Sequence, residues 1–187
     1  MIFRTELTIS KSDFTLNHDQ KIISFGSCFA DEMASRLSNL KFNVLANPFG
    51  ILFHPLAIEN ALKRIQSNTF YQAEEIFNLN ELFFSWDHHS SFNSTNATTT
   101  LEQINLSLEE AHNFLEDADV VFITLGTSWI YKLKELDFAV ANCHKVPQKH
   151  FEKVLLTEAE IIESIKNSIK IIEEMAPNAE VIVTASP

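Results

Sequence analysis

The sequence predicts an α/β domain with a mainly parallel sheet and helices on both faces. Three observations predict it. Short apolar, β-rich stretches recur along the chain, amphipathic helical stripes fall between them, and two of the chain's three glycines directly follow a strand. Strands alternating with helices imply right-handed crossovers between parallel neighbours.

The elements follow in order. "KIISF" (21–25) is a short apolar strand that breaks at Gly26. Phe29, Met33, Leu37 and Leu40 recur at helical spacing and predict a helix after it. "KFNVLAN" (41–47) is a second, weaker strand. Pro55 suits a first helical position, and Leu56, Ala57, Ala61, Leu62 and Ile65 continue that helix. "LFFSWD" (82–87) is aromatic enough for a strand or an ordered insertion. Leu101, Ile104, Leu108, Ala111 and Leu115 make a third helix. "DVVFITLG" (119–126) is β-branched and nearly continuous, as expected of a strand covered on both faces. Thr157 and Glu160 fit a capping box, and the stripe Ile161, Ile162, Ile165, Ile169, Ile172 follows. "EVIVTAS" (180–186) is the last strand. Residues 67–100, ending in the loop-like "SSFNSTNATTT", and residues 132–156 break the rhythm and are expected as insertions on the active-site side.

Bulk properties narrow the function. A chain of 187 residues, 45% hydrophobic with 16 Phe, suits one core and one domain. A net charge of −11 argues against nucleic acid or an anionic membrane as partner, since phosphates need clustered Lys and Arg. No apolar run has signal-peptide or membrane-spanning length, so the cytoplasm is the expected compartment. Two cysteines, Cys28 and Cys143, are too few for a disulfide framework and are expected as free thiols.

The three glycines, Gly26, Gly50 and Gly126, fall at strand ends or just beyond. Open parallel sheets bind ligands outside the carboxyl ends of their strands, so all three are expected on one rim. Ser27 and Cys28, side by side after Gly26, are the two nucleophile candidates. A thiol at a helix N-terminus feels roughly half a positive charge, which favours thiolate, and free N–H groups there can hold an oxyanion. Asp31 and Glu32 in the same turn oppose that. If Cys28 is a packing residue, Ser27 takes the role with a general base, and neither acting is a third possibility.

Seven motifs in order carry a family resemblance: "FRTELTI", "GSCFADEM", "NPFGILFHP", "DHHSSF", "TLGTSWIY", "VANCHKVP" and "TASP". Together they resemble the GSCFA-domain family over the whole chain. That family looks like a branch of the SGNH/GDSL hydrolases, which implies a flavodoxin-like three-layer α/β/α sandwich and acyl-bond hydrolysis. Laid on the superfamily's Gly-Asp-Ser block, Gly26-Ser27-Cys28 places Cys28 in the attacking position. The second block implies a backbone donor at Gly50. The third, Gly-x-Asn, is met by Gly126-Thr127-Ser128, with Ser128 standing where an amide donor is usual. Loss of one oxyanion donor typically costs on the order of 10²–10³ in rate.

No Asp-x-x-His matches the superfamily's final block. The resemblance implies a longer chain, so these residues are expected to be a single domain cut at its C-terminus, with a fifth strand, a last helix and the catalytic pair beyond Pro187. His18, His112, His150 and His54 need no role beyond local structure. His88, His89 and His144 fall in the insertions and are expected as substrate-facing polar groups. With Cys143 they could also ligate zinc, but adjacent residues on extended chain diverge and no ligand spacing is present, so no metal or cofactor is expected. The expected function is an ester or thioester hydrolase acting on a small acyl or glycan substrate. A catalytically degenerate ligand- or carbohydrate-binding module, or an acyltransferase, are the alternatives.

Overall fold

The computed structural model describes residues 14–185. The "FRTELTI" motif, and Ser186 and Pro187 of the last motif, lie outside them. Nine strands are present among these residues: β1 (Lys21–Gly26), β2 (Asn43–Ala46), β3 (Phe77–Leu79), β4 (Leu82–Phe84), β5 (Val120–Leu125), β6 (Trp129–Leu133), β7 (Phe138–Val140), β8 (Phe151–Leu155) and β9 (Glu180–Ala185). The four α-helices are α1 (Cys28–Asn39), α2 (Pro55–Ser67), α3 (Ala97–Glu116) and α4 (Glu158–Met175).

β2, β1, β5 and β9 pair in that order, all parallel, with Ile23 opposite both Leu45 and Val121 and Ile123 opposite Val183. The sheet therefore grows from β1 in both directions. The chain moves to one side for β2 and to the other for β5, so the topological switch lies between β1 and β5.

Alternation sorts the two faces. Ile23, Phe25, Val121 and Ile123 are buried against α2, α3 and α4 in the main core. Ile22, Ser24, Phe122 and Thr124 point the other way, toward α1. This is the expected α/β sandwich, with one helix on one face and three on the other.

Two helices bury a different stripe from the one their largest apolar residues mark. On α1, Ala30 and Ala34 are buried, whereas Phe29 and Met33 are 47% and 41% exposed and Leu40 is the C-cap. The alanines bring the helix close to the sheet, and Phe29, Met33 and Leu37 border a groove of about 220 Å³ beside Ile22 and Phe122. On α4, Ser164, Ser168, Ile171 and Ile172 are buried and Ile162 is exposed. Small serines again allow close packing, here with α2, where buried Glu59 accepts from Asn167. The helix starts are as expected: Pro55 opens α2, and Thr157 and Glu160 make a reciprocal capping box.

The two irregular segments are more ordered than their composition suggests. β3 and β4 form a small antiparallel hairpin, so "LFFSWD" contributes only its first three residues as strand and stays outside the parallel sheet. The polar run does not remain a loop, because Asn96 accepts from the Thr99 N–H and starts α3 at Ala97. Between β5 and α4, β7, β6 and β8 form an antiparallel sheet with its own small core of Leu133, Val140 and Phe151.

Candidate active site at the carboxyl ends of β1 and β5

At the switch point the segment Asn47–His54 ties three parts of the chain together through its backbone. The Asn47 N–H donates to Ser24 O (2.8 Å), the Leu52 N–H to Gly26 O (2.9 Å), and Phe53 O accepts from both Gly126 N–H (2.8 Å) and Thr127 N–H (3.0 Å). Gly26 and Gly126 are thereby held side by side. A Cβ on Gly126 would lie 3.0 Å from the Ser27 Cβ and 3.0 Å from the Phe53 ring.

Ser27 and Cys28 are separated by this geometry. Ser27 is the N-cap of α1: it is 2% exposed, its Oγ accepts from the Phe29 N–H (3.3 Å), and its own N–H donates to Thr124 O (3.1 Å). Cys28 is the first residue of the helix and is exposed. Its N–H has no acceptor among the described residues. The two nearby carboxylates are both engaged, Asp31 with the Asn47 side chain (3.2 Å) and Glu32 with Arg36 (2.9 Å).

Gly50 differs from the expected donor. Its N–H donates to Asn47 O (2.6 Å) and closes a turn, with Gly50 at φ +74. Its bare Cα instead makes room for His89, whose Cβ a side chain at position 50 would strike. Ser128 stands two residues beyond Gly126, half-buried, and borders a hollow of about 200 Å³ with Pro55, Thr127, Ile161 and Ala185. Its carbonyl accepts from the Leu156 N–H (3.0 Å), which brings the end of β8 back to the rim.

The model of the GSCFA family matches residues 21–187. The chain belongs to the GSCFA family. No curated protein and no solved structure matches it.

The three histidines expected to face substrate in this GSCFA protein part company. His89 is partly exposed, contacts Gly50 and caps a short turn by accepting from the Ser91 N–H at Nδ1 (3.3 Å). His88 is 1% exposed, stacked on Phe49 at 4.5 Å and edged by Tyr71 and Phe92, with neither ring nitrogen hydrogen-bonded among the described residues. His144 is 8% exposed, stacked on Phe84 at 4.3 Å, and its Nε2 meets Ser85 O at 2.9 Å. His88 and His144 thus fasten the two irregular segments to the core and do not line the rim. Burial pulls the His88 pKa down to about 3, with the nearby His144 and Arg64 adding to it, and pulls that of His144 down to about 4. Among the described residues, no three His, Cys, Asp or Glu side chains converge as metal ligands would.

Two contributors escaped sequence reading. His54, set aside as a flank, caps α2 by accepting the Ala57 N–H at Nδ1, which leaves Nε2–H to donate to Val140 O (3.0 Å). Asn47 accepts the Gly26 N–H at Oδ1 (2.8 Å) and donates to Asp31 from Nδ2, at a left-handed φ of +43. An amide offers both roles and tolerates that backbone region, so an Asn closing a strand before a Pro-Phe-Gly turn was the available signal.

The thiols differ in a testable way. The thiolate is the reacting form, Cys28 is exposed, and burial pushes the half-buried Cys143 thiol up. Iodoacetamide applied to the native protein should therefore alkylate Cys28 at least about tenfold faster than Cys143. Peptide mass spectrometry over time reads both rates, and equal rates or a faster Cys143 would contradict the exposure argument.

Proposed function

We propose that this GSCFA protein is an SGNH-like hydrolase of esters, thioesters or related acyl bonds, with Cys28 as nucleophile. The observation that carries the reading is an exposed thiol at the first position of α1, beside its own N–H that has no acceptor among the described residues, at the topological switch of a parallel sheet. Ser27 is engaged as a helix cap, which leaves Cys28 as the free group.

In the proposed sequence the Cys28 thiolate attacks the acyl carbon, and the carbonyl π pair moves onto oxygen. The Cys28 N–H and the Ser128 hydroxyl donate to that oxyanion. Collapse expels the alcohol or thiol, which takes up from solvent the proton that the Cys28 thiol gave up on ionising, and forms a Cys28 thioester. Water then attacks the thioester carbon, releasing the carboxylic acid and restoring the thiol. His89, at the Gly50 side of the rim, is the described imidazole we assign to contact with substrate. Free thiols and the absence among the described residues of a helix long and apolar enough to cross a membrane are compatible with a cytoplasmic location.

The test is hydrolysis of a panel of aryl, alkyl and thioesters. Cys28→Ala should lose at least about a thousandfold in kcat/KM. Ser27→Ala should lose about 1 kcal/mol of stability with the cap, while turnover per folded molecule stays within about tenfold. Undiminished turnover in Cys28→Ala would overturn the assignment. A second reading, a ligand-binding module without turnover, is favoured by the Gly50 N–H being closed into its turn and by Ser128 standing in place of an amide. Binding of acyl compounds with no turnover in the unsubstituted protein would decide for it.

A further inference from the structure

The antiparallel sheet of β6, β7 and β8 leaves the rim at Trp129 and returns to it at Leu155. Its far end is buried, with Leu133 paired to Phe151. Its near end is open, with Trp129 44% and Leu155 50% exposed. Trp129 directly follows Ser128, so their Cα atoms are ~3.8 Å apart. The Trp129 N–H donates to Thr127 Oγ1 (3.0 Å), which fixes where the strand starts.

Over this indole lies Lys153, its Nζ 4.5 Å from the Trp129 ring centroid and 6.0 Å from that of Tyr131. The side chain is exposed and has no carboxylate partner among the described residues, whereas Lys132 pairs with Asp137. The segment 127–157 carries five lysines against three acidic residues, in a chain whose total charge is −11. An ammonium held over an aromatic ring, without a carboxylate partner among the described residues and in a locally basic segment, retains its attraction for an anion. The ring limits the rotamers it must give up on binding.

We propose that Trp129 and Lys153 form a subsite for a negatively charged group, a carboxylate, phosphate or sulfate, on a substrate whose ring or flat portion rests against the indole. Neutral acyl compounds are bound less well. The assignment of this subsite to substrate rests on the hydrolase reading; the anion preference itself does not.

The experiment separates the two. In the Cys28→Ala variant, the indole N–H signals of Trp86 and Trp129 are followed by ¹H–¹⁵N NMR during titration with 4-hydroxybenzoate, 4-hydroxyphenyl phosphate and 4-hydroxybenzamide. The anions should bind about threefold to fivefold more tightly than the amide, with the Trp129 signal moving. Lys153→Met should abolish the preference, and high salt should shrink it. A carboxylate preferred over the phosphate, or the reverse, supports the subsite and names its ligand. Equal affinity for anions and amide, an unmoved Trp129 signal, or a preference that survives Lys153→Met would overturn it. The acetate esters of the same three compounds are then offered to the unsubstituted protein. Failure to cleave any of them, with the binding preference intact, overturns the hydrolase reading and upholds the anion subsite.

Discussion

Gly26→Ala is expected to leave the chain unable to fold, or at least ~4 kcal/mol less stable. Two effects act together. Gly26 has φ +142, a region that side-chain-bearing residues rarely adopt. A Cβ there would also overlap the Thr124 peptide of β5, striking its O, C and N atoms. Backbone inside a central parallel strand cannot move aside without breaking its own ladder, which here runs through Phe25–Ile123 and Gly26–Thr124. Gly126→Ala is the informative comparison. Its added Cβ would meet the Ser27 Cβ and the Phe53 ring at 3.0 Å, side-chain atoms able to give by a few tenths of an ångström. A cost of about 1–2 kcal/mol is expected there. Urea unfolding followed by circular dichroism compares the two. A Gly26→Ala protein as stable as Gly126→Ala would show that the strand end is looser than described.

Acid should unfold this protein over an unusually early range, beginning near pH 6. His54, His88 and His144 are all buried and all have their pKa lowered, chiefly by desolvation. Each folded-state value lies below the ordinary 6.5, so the unfolded chain binds protons first as pH falls. Stability is therefore full above 6.5 and is withdrawn below it, by ~1.4 kcal/mol per pH unit for each group until its folded pKa is reached. At pH 4.5, His88 and His144 together remove about 5 kcal/mol, comparable with the whole stability of many domains. His54 acts in the same direction, because its Nδ1 must stay unprotonated to accept from Ala57. Half-buried Asp87 opposes the trend, since desolvation raises its pKa and acid relieves that cost; its Tyr71 hydrogen bond and Arg64 temper the rise. The expected result is a melting temperature that drops steeply between pH 6 and pH 4.5. His88→Phe should flatten the drop, since a phenyl ring can fill the stack on Phe49 without titrating. A flat stability profile over that range would contradict the neutral, buried state of these rings.

The sheet and its helices were legible because their signals are local and redundant. β1 and β5 read as apolar runs that each end at a glycine, and α2 and α4 carry a proline and a capping box at their starts. The facing of α1 and α4 was not legible. Periodicity marks the row with the largest apolar side chains, whereas close packing selected the adjoining row of Ala30 and Ala34, or Ser164 and Ser168, which lets backbones approach. The antiparallel strands β6–β8 were hidden by their lysines, since a strand half open to solvent need not look apolar. At the site, the position of Cys28 and the adjacency of Gly26 and Gly126 followed from strand ends. The fate of His88 and His144 did not: only long-range aromatic partners, Phe49 and Phe84, make a histidine a core residue.

Phe53 holds the turn after β5 with its carbonyl oxygen, not with its ring, which is 40% exposed. Frame and wall are therefore chemically independent at this position. Any residue with an ordinary peptide preserves the link to Gly126 and Thr127, so the ring can be exchanged for a smaller, larger or polar group while the glycine pair stays in register. A saturation library at codon 53 would be the economical starting point for redirecting selectivity.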